Sequence, residues 1–276
     1  MTNEELLSLN SGKKFDIVLM NPPYDGNTHL KFIDKALNIS NKIICVHPID
    51  RLISPRLIYA PHLMQNYKNV EHIFKHCKSV EQIDTTSFSI TIQANCGITV
   101  WDNDEVKDWT PDKYVDYSDD EKAVIAKIMN KIIESGDKNN LFQFVNDRDE
   151  TRGDIIQWIP TLHGNVRSDG SKKGDFYDIF STNYKLATNV KEPSKRSQSA
   201  ELRFKTENER KNFIESTFLE AHKKITSFWK SDVNIRLKFV PWLHDYSKPI
   251  TNDTIIKFFD LTDDEKKIFN NIEIKY

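Results

Sequence analysis

The sequence predicts an α/β fold, in which part of an open sheet with parallel strands is followed by an α+β region. Two short apolar runs, Phe15–Met20 and Lys42–Val46, are typical of buried strands in a parallel sheet. Between them, residues 28–40 place apolar side chains at helical spacing, which indicates one βαβ unit. Amphipathic helical patterns and short strand-like runs follow through the second half of the chain.

The composition is that of a folded protein with one large domain or two ordinary ones. Of the 276 residues, 38% are hydrophobic, which is enough for a core. The formal net charge of -2 indicates neither a nucleic-acid nor a membrane partner by itself. Three cysteines without a C-x-x-C pair, no visible signal peptide and no long apolar stretch predict a cytoplasmic protein without a membrane partner.

Glycine is scarce, and its placement excludes two common nucleotide sites. The chain has 8 glycines, and no two of them form a G-x-G pair. It therefore lacks both the glycine-rich turn that holds a dinucleotide and the G-x-x-x-x-G-K-[ST] loop that holds a triphosphate. His72 and His76 have the spacing of helical metal ligands and Cys77 follows them, but no fourth ligand is evident, so we expect no metal.

Further elements are predicted between the βαβ unit and a boundary near residue 110. We expect a helix over about 57–67, a strand over 70–74 and a hairpin made of 87–93 and 97–101. Residues 102–120 are acidic and contain Pro111, which is typical of a linker. The expected domains are therefore 1–110 and 111–276.

The second domain shows clear helix signals. Residues 119–134 form an amphipathic pattern, and Ser118 with Glu121 three positions later predicts a capping box. A helix near 262–271 begins in the same way after Thr262. The remaining predicted elements are a strand over 155–159, a helix over 206–230 and a strand-like run over 233–240.

The residues whose types and order most clearly suggest a chemical role are Asn21, Pro22, Pro23 and Tyr24, directly after the first strand. An exocyclic amine of a nucleobase becomes nucleophilic when two acceptors bind its N–H bonds and localise its lone pair. The side-chain oxygen of Asn21 and the carbonyl of Pro22 can be these acceptors, and the rigid prolines fix them in advance. Tyr24 can stack on a base that has left the double helix. The alternative is a proline-terminated strand and turn, with Tyr24 as a packing residue.

In its context, FDIVLMNPPY at 15–24 resembles the catalytic motif of amino-type DNA methyltransferases, which transfer a methyl group from S-adenosylmethionine to N6 of adenine. The following helix and the strand ending at His47-Pro48 resemble the second half of that catalytic domain. Four downstream segments resemble the specificity region of Eco57I-like restriction-modification methylases: KLATNV at 185–190, ELRFKTENERKNFIES at 201–216, VPWL at 240–243 and FFDLTDDEKKIF at 258–269. The resemblance implies a partial, Rossmann-like methyltransferase sheet and a target-recognition region.

The methyl-donor motif of that family, an F-x-G-x-G turn on an earlier strand, has no counterpart. Only 14 residues precede Phe15 here, whereas two βα units need about 30 residues each. We therefore expect that this chain alone does not bind S-adenosylmethionine. A homodimer or a second polypeptide with the donor-binding half is expected to cover the strand edge near 15–20. The alternative is a catalytically inactive derivative that binds DNA or another protein. The family implies a bacterial cell or a phage-infected host.

A basic stretch over 181–240, with 13 basic and 7 acidic residues, is the candidate contact for double-stranded DNA. Lysine and arginine side chains there would bind phosphates without reading sequence, and the polar loop 163–175 would enter a groove. The candidate DNA-binding residues are Arg167, Lys172, Lys173, Lys185, Lys195, Arg196 and Arg203. Two alternatives stay open: ordinary solvated charges, and a protein-binding surface formed by the acidic residues 101–150.

Overall fold

The computed structural model describes residues 3–25, 27–59, 67–84, 95–106, 108–134, 153–160, 178–180, 199–229, 234–236 and 245–274. The chain divides into two compact units, Met1–Asp116 and Tyr117–Tyr276. The first unit holds a four-stranded sheet with both parallel and antiparallel neighbours, and helices accompany the strands in both units. The mixed α/β class predicted from the sequence is therefore confirmed.

The first unit contains four strands in the order β1-β2-β4-β3. β1 and β2 are parallel, whereas β4 runs antiparallel to both of its neighbours, β2 and β3. The strands are β1 Phe15–Met20, β2 Ser40–Pro48, β3 Cys77–Gln82 and β4 Cys96–Asp102. The helices are α1 Asn3–Ser8, α2 Thr28–Ile39, α3 Asp50–Ile53, α4 Arg56–Tyr59 and α5 Glu71–Phe74, with a 3₁₀ turn at Tyr67–Asn69.

The predicted βαβ unit is present as β1, α2 and β2. Its helix buries the side chains that the spacing had placed on one face, including Leu30, Ile33 and Leu37. β1, however, is not the buried strand that its apolar sequence predicted. Ile17 is 53% exposed and Leu19 73% exposed, because β1 lies at the edge of the sheet and pairs only with β2 among the described residues.

One local prediction in this unit was wrong, and another falls partly outside the described residues. Residues 71–74 form the short helix α5 instead of a strand, and this turn buries the adjacent Ile73 and Phe74. The strand that pairs with β4 is Cys77–Gln82, whereas the predicted partner segment 87–93 lies outside the described residues. A side chain at Gly97 would meet the carbonyl oxygen of Glu81 at 2.5 Å, so glycine permits the close approach of β3.

The core of the first unit forms where the central strands pack on α2 and α5. Ile33, Ile43, Phe74 and Trp101 are all fully buried, and the rings of Phe74 and Trp101 lie 6.3 Å apart. All three cysteines of the chain are buried, free thiols. Burial raises the pKa of Cys45 and Cys77 to about 12 and also raises that of Cys96.

The second unit combines helices with two small antiparallel pairs, β5 with β7 and β6 with β8. Its strands are β5 Ile155–Pro160, β6 Asp178–Phe180, β7 Ser199–Phe204 and β8 Asn234–Arg236. Its helices are α6 Asp119–Glu134, α7 Glu207–Ser216, α8 Glu220–Ser227, α9 Asn252–Phe258 and α10 Asp263–Asn271. Among the described residues, no helix has the length and apolar character needed to cross a membrane.

Both predicted capping boxes are confirmed. The Ser118 backbone N–H donates to a Glu121 carboxylate oxygen at 2.8 Å, and Thr262 pairs with Glu265 in the same way at 2.7 Å. The predicted helix over 206–230 is two helices, α7 and α8, with a break at residues 217–219. The Thr217 hydroxyl donates to the Ile214 carbonyl at 2.7 Å, a bond that competes with continued helix.

Candidate functional site

The loop Asn21–Tyr24 lies at the carboxyl ends of the two parallel strands. It follows β1 directly, and the Tyr24 hydroxyl approaches the carbonyl oxygen of Val46, near the end of β2, at 3.3 Å. Ligands of open α/β sheets bind outside the carboxyl ends of the strands, so this position is suited to a site. Pro22 is buried and anchors the loop, whereas Asn21 and Pro23 are exposed.

Tyr24 holds the side chain of Asn21. Its hydroxyl donates to Asn21 Oδ1 at 2.7 Å. Burial, with smaller contributions from the thiols of Cys96 and Cys45, raises the pKa of Tyr24, so the hydroxyl keeps the proton that it donates. An amide oxygen has two lone pairs, and one of them stays available for an amine N–H. The hydroxyl of Tyr24 is thus directed to Asn21 and Val46. The stacking of its ring on a base stays a prediction.

A buried histidine pair lies at the same edge of the sheet. The His47 ring, near the end of β2, is fully buried, and the centroid of the His29 ring, in the first turn of α2, lies 5.2 Å from it. His47 Nε2 and Thr99 Oγ1 share a hydrogen bond of 2.8 Å, and Trp101 Nε1 donates to the same hydroxyl at 2.6 Å. His47 therefore belongs to a polar network inside the sheet core, and the His29 ring packs beside it.

Burial keeps both imidazoles neutral. Desolvation, and to a smaller extent the charge of Arg51, lowers the pKa of His29 to about 4. Desolvation also lowers the pKa of His47 to about 3, helped by His29 and opposed by a backbone hydrogen bond at Pro48. At neutral pH the edge below the loop is thus polar but carries no charge from these two rings.

Three polar atoms beside the loop lack a hydrogen-bond partner within the described residues. They are the Oδ1 atom of Asn27 and both ring nitrogens of His29, and all three are buried. Buried polar atoms are nearly always hydrogen-bonded, so a water molecule or a polar group is expected to reach them. Sequence reasoning missed His29 and His47, although their positions at the helix start and the strand end already placed both near one edge.

Of the candidate DNA-binding residues, the structure describes only Arg203. It is half-buried on β7, opposite Ile156 of β5. The other six, Arg167, Lys172, Lys173, Lys185, Lys195 and Arg196, lie outside the described residues. Their role in DNA binding stays a prediction.

The described part of the chain shows no group of His, Cys, Asp or Glu residues that could hold a metal ion. His72, one of the two histidines with metal-type spacing, instead pairs with Asp34 at 2.9 Å. The described glycines with positive φ are Gly12 and Gly153, and neither follows the carboxyl end of β1 or β2.

Comparison with models of protein families, with curated proteins and with solved structures gave no match.

Proposed function

We propose that this chain supplies the adenine pocket and the DNA-recognition region of an N6-adenine DNA methyltransferase. The observation that carries the proposal is the loop Asn21–Tyr24 at the carboxyl end of β1, where Tyr24 holds an exposed Asn21 at 2.7 Å. Asn21 Oδ1 and the Pro22 carbonyl are the acceptors for the two N–H bonds of the amine. Because the loop is rigid, both acceptors are in place before the base arrives.

The proposed chemistry assigns one task to each residue of the loop. Asn21 and Pro22 draw the amine nitrogen towards a tetrahedral geometry and so localise its lone pair. Tyr24 orients Asn21 through its hydroxyl and offers a ring face to the flipped base. Pro23 stiffens the loop. The methyl group itself comes from S-adenosylmethionine, whose F-x-G-x-G binding motif has no counterpart in this sequence.

The proposed partner is a second polypeptide that carries the donor site and covers β1, and a homodimer is the alternative cover for this strand edge. Two features support this part of the proposal. Ile17 and Leu19 expose apolar side chains on the edge strand, and a free edge of this kind is a template for association. Because parallel strands are normally covered on both faces, an uncovered one favours an additional element there.

The test is methyl transfer from radiolabelled S-adenosylmethionine to unmethylated DNA by this chain together with the proposed partner, taken as the product of a neighbouring gene that encodes an F-x-G-x-G donor motif. We expect Asn21→Ala to reduce the rate at least about 100-fold, since removal of one aligned hydrogen-bonding group at a reacting centre costs 10²–10³. The matched control is Asn271→Ala, which removes an exposed amide in the second unit. Equal rates for wild type and Asn21→Ala would refute the pocket.

A catalytically inactive derivative is the second candidate. The sequence motivates it, since no two glycines form the G-x-G turn of the family's donor motif. It predicts that DNA binds with the usual salt dependence, while no partner restores methyl transfer. A transfer rate that depends on Asn21 would exclude this candidate.

A further inference from the structure

A second concave site lies at the opposite end of the four-stranded sheet from the loop Asn21–Tyr24. Its volume is about 260 Å³. It is formed by the residue before β1, the second half of α2, the segment from α5 to β3, and the residue after β4. A six-residue strand spans about 20 Å, so this cavity is separate from the candidate adenine pocket.

Two lysines and two histidines lie together in the lining of this cavity. Lys14 and Lys75 line it, together with the imidazoles of His72 and His76. Among the described residues, neither lysine forms an ion pair, whereas Lys78, Lys127 and Lys131 each pair with a carboxylate within 3.3 Å. Gathering unpaired cations in a concave site creates a positive local potential.

The one carboxylate in the lining is already engaged. Asp34 Oδ1 and His72 Nε2 lie 2.9 Å apart, and the Asp34 carbonyl accepts the Asn38 amide at 3.0 Å. The carboxylate thus fixes the orientation of the His72 ring, as acidic partners of functional histidines commonly do. A cation has no unengaged carboxylate to bind, and the described residues contain no metal-ligand group.

We propose that this cavity binds a phosphate group of a small phosphorylated ligand. Lys14 and Lys75 supply both the positive charge and the N–H donors to the phosphate oxygens. The volume lies just below the roughly 300–1,000 Å³ of drug-sized ligand sites, which suits a phosphate with a small attached group. This proposal does not depend on the methyltransferase proposal, because the two sites share no residue.

The test is titration of the full chain with inorganic phosphate and with adenosine monophosphate. Calorimetry and ³¹P line broadening measure the binding. We expect saturable binding that Lys14→Gln/Lys75→Gln weakens at least tenfold. The matched control is Lys13→Gln/Lys68→Gln, which removes two exposed lysines that do not line the cavity. The control is expected to bind phosphate like the wild type.

Three results would overturn the proposal. The first is no saturable phosphate binding by the wild type, and the second is equal weakening by both double variants, which would indicate diffuse surface charge. The third result distinguishes a small phosphorylated ligand from a nucleic-acid backbone. If a single-stranded oligonucleotide binds through Lys14 and Lys75 while free phosphate does not bind, the cavity is assigned to a nucleic-acid backbone. Both double variants change exposed side chains, and equal thermal unfolding without phosphate confirms that they fold.

Discussion

Histidines lie at both ends of the four-stranded sheet, but in different electrostatic environments. At the carboxyl ends of β1 and β2, His29 and His47 are buried against each other, and burial lowers both pKa values. At the amino ends, His72 is 58% exposed and pairs with Asp34 beside two lysines without ion pairs. The environment of an imidazole, rather than its presence in the sequence, decides whether it is a neutral core group or part of a charged site.

The largest effect expected from this difference between the two ends of the sheet is a loss of stability in acid. An unfolded histidine has a pKa near 6.5, whereas the pKa of His29 is about 4 in the folded state. The unfolded state therefore binds more protons between these values, so stability is complete above pH 6.5 and falls as the pH drops towards 4. The loss from His29 is on the order of 3 kcal/mol.

Urea unfolding at a series of pH values measures this effect. His47 and His222 add contributions of the same sign, because burial lowers their pKa values to about 3 and about 4. The readout is therefore the difference in pH slope between the wild type and His29→Gln, which we expect to be shallower. The control, His72→Gln, removes an imidazole from the opposite end of the sheet. An unchanged slope in His29→Gln would break the proposed contrast between the two ends.

The second effect on stability concerns Gly97 and Gly12, which lie at the two ends of the sheet. Gly97 lies opposite His47 in the pairing of β2 with β4, and an added Cβ would meet Ile49 Cδ1 at 2.7 Å as well as the Glu81 carbonyl. We expect Gly97→Ala to lower the free energy of unfolding by about 1–3 kcal/mol through overpacking. Gly12 precedes β1 at the other end and has open space around it, but its φ is +75°.

Gly12→Ala is thus a test of conformation alone. We expect a cost of about 1 kcal/mol, because the left-handed region is unfavourable for a residue with a Cβ atom. Thermal or urea unfolding of the two variants compares them directly. A larger loss for Gly12→Ala than for Gly97→Ala would contradict the tight packing inferred beside His47.

The smallest expected effect on stability is at the sheet edge. Leu19 is 73% exposed, so Leu19→Lys should change the free energy of unfolding by no more than about 0.5 kcal/mol. If β1 docks a partner, the same substitution should weaken association strongly, because it places a charge on the apolar edge. Sedimentation of the chain, alone and with the neighbouring gene product, measures this.

The control for that experiment is Val106→Lys, at an apolar residue that is 57% exposed after β4. Association that is equally weak in both variants would indicate a general charge effect. A wild-type chain that stays a monomer with and without the gene product would refute the docking role of β1.

Much of the fold could be predicted because it depends on local signals. The capping boxes at Ser118 and Thr262 each fix the start of a helix through residues only three positions apart. The apolar spacing in 28–40 fixes the buried face of α2. The exposure of β1 could not be predicted, because strand burial depends on neighbours that lie elsewhere in the sequence. The same reason hid the helix at 71–74, where burial of Ile73 and Phe74 outweighs a strand-like composition.

The candidate site was only partly accessible from the sequence. Asn21, Pro22, Pro23 and Tyr24 are contiguous, so one motif identifies them. The histidine pair is formed by residues 18 positions apart that only the βαβ turn brings within 5.2 Å of each other. The cavity with Lys14 and Lys75 combines even more distant segments, and no local pattern signals it.

The burial of every thiol has a practical consequence for following this protein in solution. Cys45, Cys77 and Cys96 are shielded from solvent, and the thiolate, which is the reactive form, is disfavoured in each of them. A single cysteine introduced at exposed Asn271 should therefore react with a maleimide dye while the native thiols stay unmodified. The chain can thus carry one fluorophore in its second unit without removal of any natural cysteine.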